Sequence, residues 1–232
     1  MSIKAWSHSR LGVFESCPLR AKLAYVDRIP EPVRPLPPGK SEHANDRGSR
    51  IHDAGELYVK ENVELIPELR SFKEEFQALR ALHRQGKVRT EGEWAFDVDW
   101  NPVDWSDRRA WLRMKLDALV MVSKTHAVVI DYKTGKKFGN EFKHGEQGQL
   151  YQLGTFMRFP ELQTIDVEFW YTDQDDITHM HFKREQGLRF YRNFNTRGQA
   201  ITTATDFPAK PNMFTCKWCP YNDGVNCTKG VK

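Results

Sequence analysis

What the 232-residue sequence lacks narrows it first. No run of roughly 18 apolar residues occurs, so no membrane-spanning helix is expected. The opening string Met1-Ser2-Ile3-Lys4-Ala5-Trp6-Ser7-His8 has no apolar core of the kind a secretory signal needs. An intracellular, cytoplasmic protein is therefore expected. Internal repeats and low-complexity tracts are absent, and so is a Gly-x₄-Gly-Lys-Ser/Thr string, so ATP-driven motor work would fall to a partner. Neither charge sign dominates. The net charge of +4 and pI near 8.8 permit a polyanionic partner without requiring one. Cysteine is scarce, with four in the whole chain. In an intracellular protein these are reduced or metal-bound and not disulfides.

What is present begins with Met114 to Lys133. Two apolar runs, 118–122 and 127–130, flank a polar break at Ser123-Lys124-Thr125, the pattern of two buried strands joined by a tight turn. Asp117 heads the first run; Asp131 and Lys133 end the second. Antiparallel pairing brings both carboxylates and the ammonium to one end of the sheet, and Asp131 and Lys133, two apart, share a strand face. Charges there need pairing or a metal. Two carboxylates suit a hard divalent cation such as Mg²⁺, and a neighbouring Lys can steady developing phosphate charge. A plain Lys–Asp salt bridge at a strand end is the blander reading of the Asp-x-Lys triplet alone.

The triplet is not alone. Asp117 with Asp131-Tyr132-Lys133-Thr134-Gly135 resembles the PD-(D/E)xK nuclease superfamily, and more narrowly its RecB-type nuclease domains. The spacing, 131 − 117 = 14 residues, suits one hairpin. The same family carries Gln-x-x-x-Tyr on the next helix, matched by Gln147 and Tyr151 at i, i+4. It also places a His on an upstream helix, matched by His52. The resemblance implies Asp117, Asp131, Lys133, Gln147 and Tyr151 as catalytic residues, and His52, Asp117 and Asp131 as ligands of Mg²⁺ or Mn²⁺.

Along the chain, residues 7–28 read as helix, capped by Ser7 or Ser9 and broken at Cys17-Pro18. Arg20 and Lys22 there could face a DNA backbone or simply solvent. Five prolines within 30–39 make a stiff connector. Residues 40–50 read as a polar loop, and 48–60 as a helix with Ile51, Leu57 and Tyr58 toward the core. A long amphipathic helix is expected over 64–86, and a strand over 87–99 from the alternation of Trp94, Phe96, Val98 and Trp100. Glu93 is a weak candidate for an extra acidic ligand. Residues 101–107 read as loop, 141–158 as helix, 163–172 and 176–183 as strands, and 184–203 as helix, with Arg189, Arg192 and Arg197 on its polar side. Lys136 and Lys137 suit either phosphates or a solvated loop.

The remaining cysteines close the chain: Cys216-Lys-Trp-Cys219, then Cys227. A Cys-x₂-Cys pair brings two sulfurs to one side of a metal. The pattern of Cys17 near the start and three at the tail resembles AddB-type and CRISPR-associated iron–sulfur nucleases, which implies a [4Fe–4S] cluster on Cys17, Cys216, Cys219 and Cys227. The seven-residue gap before Cys227 is longer than that pattern has, and zinc is the alternative. The tail after Asp206 has few apolar residues, so metal ligation is its expected anchor.

The expectation is one α/β domain over 1–232: a PD-(D/E)xK restriction-endonuclease-like core, a mixed sheet of about five strands flanked by helices, and an iron–sulfur clasp joining the termini. The resemblance implies a metal-dependent DNA exonuclease acting on single-stranded ends in recombination or repair, with a helicase or recombination protein as partner and the oligomeric state open. The rivals are a DNA-binding, end-processing subunit of a recombination or CRISPR-adaptation complex, and a structural zinc protein on a nuclease fold.

Overall fold

The computed structural model describes residues 2–33 and 35–231, with Glu91 described in its backbone only. Its centre is a six-stranded sheet in the order β2-β1-β3-β4-β5-β6. The strands are β1 (Val88–Phe96), β2 (Pro102–Val103), β3 (Leu112–Met121), β4 (His126–Lys133), β5 (Thr164–Tyr171) and β6 (Asp176–Lys183). All neighbours are antiparallel except β4 and β5, which run parallel from the His126–Thr164 pair to the Lys133–Tyr171 pair. β4 is therefore the hinge of the mixed sheet. It is buried on both faces, which is why it reads as an unbroken apolar run.

The sheet exceeds the expected five strands because β2 is only two residues long, too short to show alternation, and lies inside the stretch read as loop. β1 ends at Phe96 and not near Asp99. There Asp97 Oδ1 accepts the backbone N–H groups of Asp99 at 3.0 Å and Asn101 at 2.9 Å, turning the chain, and Trp100 takes a φ of +65°. Val98 is consequently exposed, while Trp100 packs edge-on against Trp6 and Trp111.

Two apolar layers cover the sheet. One holds Phe96, Leu112, Met114, Leu116, Val129, Val167 and Phe169 under α5 (Glu141–Arg158) and α7 (Tyr191–Thr203). The other holds Ala118, Val120, Ile130, Tyr132 and Trp170 under α3 (Ala44–Lys60) and α4 (Lys73–Arg84). α5 presses closely because Gly154 has no side chain; a Cβ there would meet Met114 Sδ at 2.6 Å. Its carboxyl end is held by Arg184 Nη1, which donates to the carbonyls of Phe156 at 3.2 Å, Phe159 at 3.4 Å and Leu162 at 3.2 Å.

The helices differ from the sequence reading in three places. α3 starts at Ala44, inside the expected loop, and Arg47 and Arg50 tie that turn down through Asp173, Glu42 and Glu68. Its buried stripe is Ile51, Gly55, Tyr58 and Val59, so Leu57 falls off the stripe and is exposed. The expected 64–86 helix is a 3₁₀ segment, Pro67–Phe72, followed by α4. The expected 184–203 helix is two pieces, α6 (Arg184–Leu188) and α7.

At the amino end, α1 (His8–Ser16) is capped by Ser7 and stops at Cys17, and Pro18 opens α2 (Pro18–Ala21), as the sequence indicates. The carboxyl tail docks beside these helices through α8 (Met213–Cys216) and its flanks. Here the expected anchor needs correcting, because the tail has contacts of its own. Phe207 packs on Phe14, Tyr221 is buried and donates to the Ile29 carbonyl at 2.8 Å, and Lys210 Nζ donates to the Glu15 carbonyl at 3.1 Å.

Candidate active site

The site is built where β3 and β4 part. Their pairing ends at Ala118–Ile130, while β4 continues beside β5 through Lys133. The freed backbone N–H of Tyr132 is taken by a side chain: it donates to Asp117 Oδ2 at 2.5 Å. The other carboxylate oxygen, Asp117 Oδ1, meets His52 Nδ1 at 2.7 Å. His52 reaches it from α3, whose seat on the sheet depends on a glycine; a Cβ at Gly55 would lie 3.0 Å from the Tyr132 ring.

Across the fork, four residues close a ring. Lys133 Nζ lies 2.6 Å from Asp131 Oδ2 and donates to Gln147 Oε1 at 2.8 Å. Gln147 Nε2 donates to the Tyr151 hydroxyl at 2.6 Å, and that hydroxyl donates to Asp131 Oδ1 at 2.8 Å. The i, i+4 spacing of Gln147 and Tyr151 on α5 places both on the ring. Lys133 also lies over the Phe169 ring at 5.2 Å. The two halves open into one cleft of about 550 Å³, lined by His52, Asp117, Asp131, Lys133, Gln147 and Tyr151 among others. All six residues that the sequence marked for this site meet there.

The electrostatics are those of two carboxylates with too little positive charge. Burial and the Asp131 carboxylate push the Asp117 carboxyl above its ordinary range, against the His52 and Tyr132 hydrogen bonds that lower it. Burial alone would lower His52, but its hydrogen bond to Asp117 and the charges of both carboxylates outweigh that and raise it. Burial and the same carboxylates push the Tyr151 hydroxyl far above its usual range, so it is a donor throughout. Asp131 Oδ2 is buried and, among the described residues, has the Lys133 ammonium at 2.6 Å as its charge partner but no hydrogen bond. That oxygen, which has no hydrogen bond, and the raised Asp117 fit a hard divalent cation, which commonly takes one or two carboxylates and fills its other positions with substrate phosphate and solvent. A third protein ligand is not supplied: among the described residues no three His, Cys, Asp or Glu side chains are arranged to hold a metal. His52, expected as a ligand, engages Asp117 through Nδ1, which leaves Nε2 as the nitrogen that could ligate.

Other marked residues lie elsewhere. Glu93 pairs with Lys115 at 2.9 Å. Lys137 pairs with Asp176 at 2.6 Å, and Lys22 with Asp27 at 2.5 Å. Arg197 binds Glu15 and Glu146, joining α7 to α1 and α5. The four cysteines line one cavity of about 20 Å³ between α2 and the tail, all as free thiols and without forming a ligand group as they stand. What sequence reasoning missed is Lys115, an exposed residue of β3 that shares the cleft wall with Asp117. Its i, i+2 spacing from Asp117 was the available signal.

Against known proteins, the sequence model of the PD-(D/E)XK nuclease superfamily matches residues 5–223. The curated proteins yield no match. Two crystal structures are among those it matches. SSO0001 is 13% identical, with a TM-score of 0.42, covering 100% of this chain and 89% of that one. An alkaline exonuclease (LHK-Exo) from Laribacter hongkongensis is 14% identical, with a TM-score of 0.33, covering 86% of each chain.

Proposed function

The chain belongs to the PD-(D/E)XK nuclease superfamily, and from that premise we propose that it is a metal-dependent DNA exonuclease that works on single-stranded ends. The observation that carries this reading is the ring of Asp131, Lys133, Gln147 and Tyr151 facing Asp117 and His52 across one cleft. Asp117 and Asp131 would hold Mg²⁺ or Mn²⁺, which when bound supplies Lewis-acid charge to the phosphate and lowers the pKa of water. Lys133, steered by Asp131 and Gln147, presents its ammonium where charge develops on the phosphate being cleaved. Tyr151 fixes the Asp131 carboxylate through its hydroxyl. His52 fixes Asp117 and keeps its oxygens aimed into the fork, a positioning role that leaves Nε2 for the ligand role the sequence suggested.

A second metal centre at Cys17, Cys216, Cys219 and Cys227 is part of the proposal. It is supported by the four cysteines lining one cavity although 216 − 17 = 199 residues separate Cys17 from Cys216. Burial raises the Cys219 thiol, with Cys17 and Cys227 adding to it, so the free thiols are not at ease together as anions. A cavity of about 20 Å³ has the room of a single ion. The thiols form no ligand group as they stand, among the described residues, so either one zinc or a [4Fe–4S] cluster requires them to rearrange around it. Elemental analysis after anaerobic purification separates one zinc from about four irons, and finding neither removes this centre.

The activity is tested with end-labelled linear DNA, single- and double-stranded, and with closed circular single strands. We expect degradation of linear strands in Mg²⁺ or Mn²⁺, none in excess chelator, and circles left intact. Full activity in chelator would overturn the metal dependence, and equal rates on circles and linear strands would overturn the exonuclease reading.

A further inference from the structure

Beside the catalytic cleft, and sharing Lys115, Gln147 and Tyr151 with it, runs a second opening of about 430 Å³. One bank is β3 with Arg113 and Lys115; the other is α5 with Lys143; Arg10 of α1 lies at one end and Trp105 overhangs β3. Among the described residues none that lines it is acidic, and four are Lys or Arg. The Arg113 guanidinium lies over the Trp105 ring at 5.1 Å, and its buried Nε has no hydrogen-bond partner among the described residues. Lys115 Nζ also reaches that ring, at 6.0 Å, while it pairs with Glu93. On the next residue before Lys143, Phe142 stands 97% exposed on the first turn of α5. A positive groove edged by aromatic rings, opening into a site with paired carboxylates, has the chemistry of single-stranded nucleic-acid binding: cations follow the phosphates and rings stack on unpaired bases.

We propose that this groove is the track by which a single DNA strand reaches Asp117 and Asp131, with a base stacked on Trp105 and the adjoining phosphates on Arg113, Lys115 and Lys143. The proposal rests on the nuclease reading above and adds to it the path of the strand and the residues that select a single strand over a duplex. The selection follows from stacking. In a duplex both faces of each base are already covered by neighbours, so Trp105 has nothing to take; in a single strand a base is free to turn onto the ring. Arg113, whose guanidinium lies over the same ring at 5.1 Å, puts its charge beside the adjoining phosphate.

The test is binding without cleavage. Fluorescence anisotropy in EDTA, with a labelled single-stranded oligonucleotide and a blunt duplex of the same sequence, is independent of whether the protein cuts. Trp105→Ala should weaken single-strand binding by about 5- to 150-fold, the range that loss of one base–aromatic stack gives, and duplex binding by less than about twofold. Trp105→Phe, which keeps a ring, should restore most of the loss. Arg113→Gln should weaken binding to strands of any sequence and lower the slope of log K against log salt by about one unit. Thermal melting of each variant confirms that it is folded. Trp105→Ala binding single strands as wild type does, or losing single and double strands equally, overturns the track. Absence of cleavage by the wild-type protein in Mg²⁺ or Mn²⁺ would sink the nuclease reading while leaving this binding result to stand.

Discussion

Lys133→Met is the sharpest perturbation the site offers. The substitution keeps an unbranched side chain over Phe169 but removes the ammonium that lies 2.6 Å from Asp131 Oδ2. Both side chains are largely buried, at 15% and 6% exposure. Removing one partner of a buried ion pair costs about 3–5 kcal/mol, because the other charge is left without a counter-charge. Asp131 keeps the Tyr151 hydroxyl on its second oxygen, so the expected loss is about 2–3 kcal/mol. For a chain of this length that lowers Tm by about 4–12 °C. The same substitution made on an Asp131→Asn background should cost only about 1 kcal/mol, since no carboxylate is stranded there. Urea denaturation in EDTA measures all four corners of the cycle, and cleavage should fall to background in each variant. A divalent cation should stabilise the Lys133→Met protein more than the wild type, because it supplies the charge the lysine no longer does. An equal loss in both backgrounds would refute the buried-pair argument, and a wild-type cleavage rate in Lys133→Met would remove Lys133 from the site.

Two further perturbations test the scaffold. Gly198→Ala on α7 would place a Cβ 2.5 Å from Trp6 Nε1 and 2.6 Å from Trp111 Cη2, and both indoles are fixed by mutual edge packing. We expect a loss of about 1–3 kcal/mol by urea denaturation, with Gly198→Ser no better; an unchanged midpoint would show that α7 can shift. His144 is half-buried against Tyr171, and burial followed by the charge of Lys133 holds its pKa down to about 4 from 6.5. A histidine lowered in the fold contributes stability that is complete above 6.5 and lost as pH falls from there toward 4. Solvent screening of the half-exposed ring reduces its share to about 1–2 kcal/mol. The pH 7 to pH 5 decline in stability should therefore be smaller in His144→Gln than in wild type, and an identical decline in both would refute it.

The central hairpin, the pairing of Asp117 with Asp131, the i, i+4 helix and most of the later strands are visible in the sequence because each rests on a local period. The misreadings occur where a long-range contact overrides the local signal. Ala44 to Arg50 carries few apolar residues and reads as loop, yet Asp173, 126 residues from Arg47, holds its first turns in place. Leu57 looks like a core residue by type, but the helix is rotated by the demand that Gly55 face Tyr132, and the hydrophobic stripe falls on Val59. Trp100 fits the alternation of β1 by spacing alone; the Asp97 turn breaks the strand, and the indole reaches the core from a loop. His52 was legible as a site residue but not as the partner of Asp117, because a sequence shows which groups can ligate and not which neighbour each ring nitrogen meets.

The fork itself explains why these residue types must stand where they do. An antiparallel ladder that continued past Ala118–Ile130 would satisfy the Tyr132 N–H with a β3 carbonyl and would close the space now open to a substrate. Ending the ladder there leaves a buried donor, which costs about 1–3 kcal/mol if unmet. Asp117 meets it with one oxygen and turns the other toward His52, so the same carboxylate that opens the cleft also repairs the sheet. The parity of β3 changes at this point: Leu112, Met114 and Leu116 face the α5 layer, whereas Ala118 and Val120 face the α3 layer. Asp117 stands at this change, in the cleft, with Lys115 on the same wall. On the far side of the vacated edge, Trp6 bridges to Leu112, and its carbonyl accepts the Arg113 N–H at 2.9 Å, so the rest of β3 does not stay unpaired. Replacing Asp117 by Ala should therefore do more than remove a carboxylate. It should leave the Tyr132 N–H orphaned and expose the β3–β4 edge to exchange. Amide hydrogen exchange at Tyr132 should accelerate in Asp117→Ala and stay slow in Asp117→Asn, whose carbonyl oxygen can still accept. Equal exchange in the two variants would mean that the fork is held open by α5 and α3 alone.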